Sequence, residues 1–134
     1  MALKIKNKIK KSLIQNKLFV KSVRSKGPYY RNMLISGESV FKPIEAPIME
    51  VKIPTWEAFH FIAFGEYLLN LEKDTIILLE GKTGLEAGKG KNMSEAIYKA
   101  RENLNRFAKT VEGFEKIIQE RIRENGLSPK FKKD

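Results

Sequence analysis

The stretch Thr75–Phe107, TIILLEGKTGLEAGKGKNMSEAIYKARENLNRF, constrains the fold more than any other part of the chain. Thr75, Ile76, Ile77, Leu78 and Leu79 form a β-branched and apolar run bounded by turn formers, the pattern of a strand buried on both faces. The Gly81-Lys82-Thr83-Gly84 segment can reverse the chain, because glycine takes positive φ without a Cβ clash. Leu85-Glu86-Ala87 then reads as a short returning strand and Gly88-Lys89-Gly90-Lys91 as a glycine-rich loop. Asn92 can accept from the free N–H groups of a new helix, and Glu95 three residues on gives the spacing of a capping box. The local shape is therefore strand, turn, strand, helix.

The remaining elements must pack around this unit. Beyond Met93 the apolar residues recur at alternating three and four spacings: Ile97, Leu104, Val111 and Ile118 in one series, Ala100, Phe107 and Phe114 in the other. The pattern predicts either one helix over Met93–Glu124, about 48 Å long at 1.5 Å per residue, or two consecutive helices broken near Thr110–Gly113. Gly113 inside such a helix costs roughly 1 kcal/mol against alanine. The stripe Leu104, Phe107, Val111, Phe114 and Ile118 is expected to be covered, by the N-terminal half of the chain or by a second copy in a dimer. Upstream, Tyr29–Ile35, Val40–Lys42 and Met49–Ile53 read as strands, the first two joined at Ser36-Gly37-Glu38-Ser39. Thr55 can cap a helix over Trp56–Glu72, although the aromatic richness and Gly65 of that segment keep a strand reading open. The expected fold is α+β: a small, mainly antiparallel sheet covered by a long C-terminal helix or two consecutive ones, with a basic arm over residues 1–27, the α+β domain over 28–126 and a basic tail over 127–134.

The net charge of +10 is unevenly placed. Residues 1–37 carry ten basic side chains and no acidic one, residues 38–80 have a balance of −5, and residues 81–134 one of +5. All of the excess can be assigned to the N-terminal segment, which points to a polyanionic partner. That segment has two competing periodicities: Leu3, Ile5 and Ile9 alternate with lysines as in a strand, while Ile5, Ile9 and Leu13 share a helical face. A membrane-surface helix is a further reading, without the tryptophan anchor such helices favour. With nucleic acid as partner, the contacts expected are Lys4, Lys6, Lys8, Lys10, Lys11, Lys17, Lys21, Arg24, Lys26 and Arg31 along the arm. Tyr29 and Tyr30 would stack bases, and Lys82, Lys89 and Lys91 would make a second contact at the helix N-terminus. With no cysteine the chain has neither a disulfide framework nor a thiolate metal site, which fits a reducing compartment such as the cytoplasm. No apolar run approaches the roughly 18 residues of a membrane span.

Gly88–Ala96 resembles the passage from third strand to second helix in double-stranded-RNA-binding domains, where a G-x-G-x-S-K-K-x-A pattern sets lysines at a helix N-terminus. Met93 and Ser94 stand here in place of the lysine pair. The same residues also resemble HicB-type antitoxins, whose G-x-T-x-x-E-A turn leads from a sheet into a helix; Gly90, Asn92, Glu95 and Ala96 fit that pattern. The first resemblance implies RNA binding, the second a protein partner.

Gly88-x-Gly90 lacks the third glycine and downstream acid of a dinucleotide fingerprint, and no Walker sequence, metal-ligand spacing or Ser/His/Asp arrangement is present. His60, the only histidine, is expected to be packed among aromatics without a catalytic partner. The reading is therefore a non-enzymatic protein with no cofactor or metal, binding the phosphate backbone of nucleic acid, RNA ahead of DNA. Its alternatives are a small protein-binding module or antitoxin-like inhibitor, and a structural subunit of a ribonucleoprotein.

Overall fold

The computed structural model describes residues 20–21, 28–68 and 73–132. Its elements, in chain order, are β1 (Val20–Lys21), β2 (Tyr30–Ile35), β3 (Glu38–Pro43), β4 (Met49–Val51), β5 (Phe61–Leu68), β6 (Lys73–Glu80), β7 (Glu86–Gly90), α1 (Met93–Phe107), α2 (Val111–Asn125) and a 3-10 turn at Pro129–Phe131. The strands form an antiparallel sheet in the order β1-β4-β5-β6-β7 and a separate hairpin, β2-β3. This is the α+β architecture expected, with two helices rather than one. The hairpin turns on Ser36 and Gly37, both at positive φ, as a two-residue connection between twisted strands requires.

The helix expected over Trp56–Glu72 is absent from its described residues, 56–68. Residues 53–60 form turns and Phe61–Leu68 is the strand β5, paired along its whole length with β6. Phe61, Ile62, Ala63, Phe64 and Gly65 are all buried, so consecutive residues point into cover on opposite faces, which a central strand satisfies and a one-sided helix cannot. The three-to-four spacing of aromatics is compatible with a helix, but β6 provides a buried partner strand for the same residues.

Register assigns the faces. Val51, Phe61 and Glu80 form one row of cross-strand partners and Met49, Ala63, Leu78 and Gly88 the next row on the same face; Glu50, Ile62 and Leu79 lie on the other. Helix α1 lies on the first face over β7. A Cβ on Gly88 would meet Ala100 N at 2.5 Å, and one on Gly90 would meet Ala96 N at 2.7 Å. The glycine run read as a loop is thus a strand, and its missing side chains let helix backbone rest directly on strand backbone. At the bulge in β7 the side chain of Asn103 donates to the carbonyl of Ala87, 2.9 Å, tying α1 to the sheet. The expected cap is present: Asn92 Oδ1 accepts from Glu95 N at 2.8 Å.

The helix breaks at Ala108–Thr110. Lys109 has φ of 66°, and Thr110 caps α2 by accepting from Gly113 N at 2.9 Å. A Cβ on Gly113 would stand 2.2 Å from the carbonyl oxygen of Ala108, so this glycine makes the tight reversal possible rather than weakening a long helix. The break also ends the apolar stripe. Leu104 and Ile118 are buried, and Phe114 packs against the rings of Trp56, Phe59 and Phe61, but Phe107 and Val111 are exposed. The basic tail is likewise not a free extension. Ser128 is buried, its N–H donates to Lys82 O at 2.8 Å, and Phe131 packs edge-on to His60.

Candidate anion site at the sheet edge

On the face away from α1, Tyr29, Glu50 and His60 form a closed polar group. The Tyr29 hydroxyl donates to Glu50 Oε1 at 2.8 Å; His60 Nε2 lies 2.6 Å from that hydroxyl and 3.3 Å from Glu50 Oε1. A phenol has one proton to give. With Glu50 ionised and receiving it, the short contact to His60 needs a hydrogen on Nε2, so counting protons assigns the Nε2–H tautomer and leaves Nδ1 outside these bonds. The chain positions the three groups from separate segments. Tyr29 is set by its carbonyl, which accepts from Ile44 N at 2.9 Å, and Glu50 by β4 pairing with β5; His60 is set by its carbonyl, which accepts from Gly81 N at 2.7 Å. The His60 ring stacks on Tyr29 and meets the edge of Phe131.

Three lysines bear electrostatically on His60. Lys52 follows Glu50 by two residues and donates to the carbonyl of Glu57; Lys82 comes from the β6–β7 turn; Lys130 Nζ sits 5.0 Å from the centre of the Tyr29 ring. Burial lowers the His60 pKa; Lys52, Lys130 and Lys82 lower it further, against a partial offset from Glu50. Burial raises the Tyr29 phenol well above its usual range, helped by the hydrogen bond to Glu50 and that group's charge. Burial also raises Glu80, on the helix side of the sheet, although the N–H groups of Lys82 and Thr83 donate to its two oxygens and Lys82 attracts it.

The His60 shift has a stability consequence whose sign is fixed. A histidine whose folded pKa lies below its unfolded value of about 6.5 binds protons more weakly in the folded state, so its contribution is present above that pH and lost as the pH falls through and below it. His60→Gln is expected to remove this part of the acid-side fall in the urea midpoint; an unchanged pH profile in the variant would show that His60 is not the group responsible.

The residues predicted from the sequence are distributed differently. Tyr29 is buried by Glu50, His60 and Phe131, so its ring cannot stack a base; Tyr30 is half-buried. Arg31 is held by Glu66 at 2.7 Å and lies over the Phe64 ring. Lys89 and Lys91 are exposed beside the α1 N-terminus, with Lys91 4.0 Å from Glu95, but Lys82 lies at the other end of β7 with His60. Lys21, in β1, pairs opposite Glu50. Lys4, Lys6, Lys8, Lys10, Lys11, Lys17, Arg24 and Lys26 fall outside the described residues. Sequence reasoning missed Lys52, Lys130 and the partners of His60; Lys52 is legible only as the residue two on from Glu50 in an alternating segment, and Lys130 only as part of a tail.

A second concavity, a cleft of about 260 Å³ between α1, α2 and the β6–β7 turn, is walled by Leu85, Leu104, Phe107, Phe114 and Ile117. Among the described residues no group of acidic and histidine side chains is placed to hold a metal ion, and no helix is long and apolar enough to cross a membrane. Comparison with family models, with curated proteins and with solved structures finds no match to the chain.

Proposed function

We propose that the protein binds nucleic acid through backbone phosphates without an enzymatic step, RNA ahead of DNA, along the edge marked by His60. The reading is carried by the charge around one histidine: Lys52, Lys82 and Lys130, from three separate segments, all bear electrostatically on His60, Lys130 Nζ lies 5.0 Å from the Tyr29 ring that His60 stacks on, and Lys21 pairs opposite Glu50 of the same group. A positive potential from lysines of separate segments suits a polyanion better than a neutral ligand. Lys89 and Lys91 would touch a second stretch of backbone at the α1 N-terminus. The preference for RNA rests on the resemblance of Gly88–Ala96 to double-stranded-RNA-binding domains.

An anisotropy titration of the full chain on RNA and DNA at two salt concentrations tests this. Neutralising six to ten phosphates would lower affinity by roughly 10³–10⁵ between 50 and 200 mM salt, with RNA held more tightly than DNA at each concentration. Absence of binding at ~50 mM salt would exclude the reading. A protein-binding module is the second reading, favoured by the hairpin tip, where Met33, Leu34 and Ile35 are all exposed.

A further inference from the structure

We infer that the cleft between α1, α2 and the β6–β7 turn receives Phe107 of a second copy of this chain, in a two-fold dimer where each copy gives one ring and seats the other. The inference goes beyond the nucleic-acid reading and stands without it. The cleft has a volume of about 260 Å³ and apolar walls from Leu85, Leu104, Phe114 and Ile117. Small-molecule sites run to roughly 300–1,000 Å³, so this space suits one aromatic side chain better than a whole ligand. Phe107 forms its outer wall and is 69% exposed, and Val111, across the helix break, is exposed as well. A large ring left in water beside an apolar cleft marks a contact surface, unlike apolar residues scattered singly. Because ring and cleft share one face, that face is complementary to itself, as a two-fold contact requires.

The backbone holds the ring in place. Phe107 is the last residue of α1; the N–H groups of Ala108 and Lys109 both donate to Leu104 O, at 2.9 and 3.0 Å, and Thr110 caps α2 directly after. A ring presented from a fixed corner loses little conformational freedom on docking.

Charge selects the occupant. The chain carries +10, so two copies repel on most approaches. This corner is balanced: residues 102–115 hold Arg106 and Lys109 against Glu102, Glu112 and Glu115. Arg106 lies over the Phe107 ring at 5.9 Å and would travel with it, while Glu86 lines the cleft that receives the ring. Neither Arg106 nor Glu86 takes part in an ion pair among the described residues, and two-fold symmetry brings the pair of them together twice. Arg121, on the same wall, is already paired with Glu124 at 3.1 Å. An acidic protein would suit the basic remainder of the surface better than this corner.

Sedimentation equilibrium of the full chain over a range of concentrations tests the dimer. A monomer–dimer equilibrium is expected, with Phe107→Ala raising its dissociation constant roughly thirtyfold, the effect of removing an interface anchor. The side chain is exposed, so this change leaves the monomer's core alone. Glu86→Lys is expected to weaken the dimer too, and Leu34→Ala, at the exposed hairpin tip, to leave it unchanged. A chain that stays monomeric at every concentration would overturn the inference and leave the cleft to a different protein. So would a dimer that Phe107→Ala leaves intact; its loss in Leu34→Ala would place the contact at the hairpin tip instead.

Discussion

Gly88→Val should be the most damaging single change in the fold. The added side chain would start 2.5 Å from Ala100 N and 2.9 Å from Ala96 O, both helix backbone atoms that no rotamer change can move aside. Relief requires α1 to lift from β7, which would pull Ala96, Ala100 and Leu104 off the sheet. Overpacking of a core commonly costs about 1–3 kcal/mol, and a rigid backbone contact sets this case at the top of that range or beyond it, against a typical total of about 5–15 kcal/mol. Urea denaturation checks it, with Lys89→Ala, one residue on and exposed, expected within about 0.5 kcal/mol of the parent. A Gly88→Val variant as stable as the parent would mean that α1 does not rest on β7 as described.

The second large effect concerns the arm. Deleting residues 1–26 removes nine positive charges and, if the arm lies along phosphates, should flatten the salt slope by several units, roughly 0.9 for each phosphate of B-DNA that is no longer neutralised. The fold is expected to survive, because among the described residues the buried core begins at Tyr29 and only the two residues of β1 are removed from the described sheet. A deletion that leaves the slope unchanged would detach the arm from binding. Its charge would then be free to dock on an acidic protein surface instead.

What the sequence revealed depended on how local the determining physics was. The capping pair Asn92 and Glu95, the strand Thr75–Leu79 and the hairpin from Tyr30 to Pro43 are set by neighbours within a few residues, and each was readable in the chain. Phe61–Leu68 was not, because its aromatics suit a helix and a strand alike and the choice is made by β6, its partner. Gly88 and Gly113 look like a loop and a weak point in a helix, yet both mark close backbone approaches created by tertiary packing. The heptad stripe failed at Phe107 and Val111 because Lys109 leaves helical geometry and restarts the period. The candidate site was the least legible part. Glu50 and His60 lie 21 and 31 residues along the chain from Tyr29, whose hydroxyl they share, and nothing local couples them.

The central claim, that phosphates lie at the edge around His60, is tested most directly by the salt slope of the Lys52→Ala, Lys82→Ala, Lys130→Ala variant, with Lys99→Ala, Lys109→Ala, Lys116→Ala as a charge-matched control on exposed positions of the helices and their connection. Both variants lack three of the parent's charges, so a general field effect would move them alike. With circular dichroism confirming that both are folded, the edge variant is expected to flatten the slope by about two to three units and the control by less than one. Equal slopes in the two variants, or a larger flattening in the control, would contradict the claim.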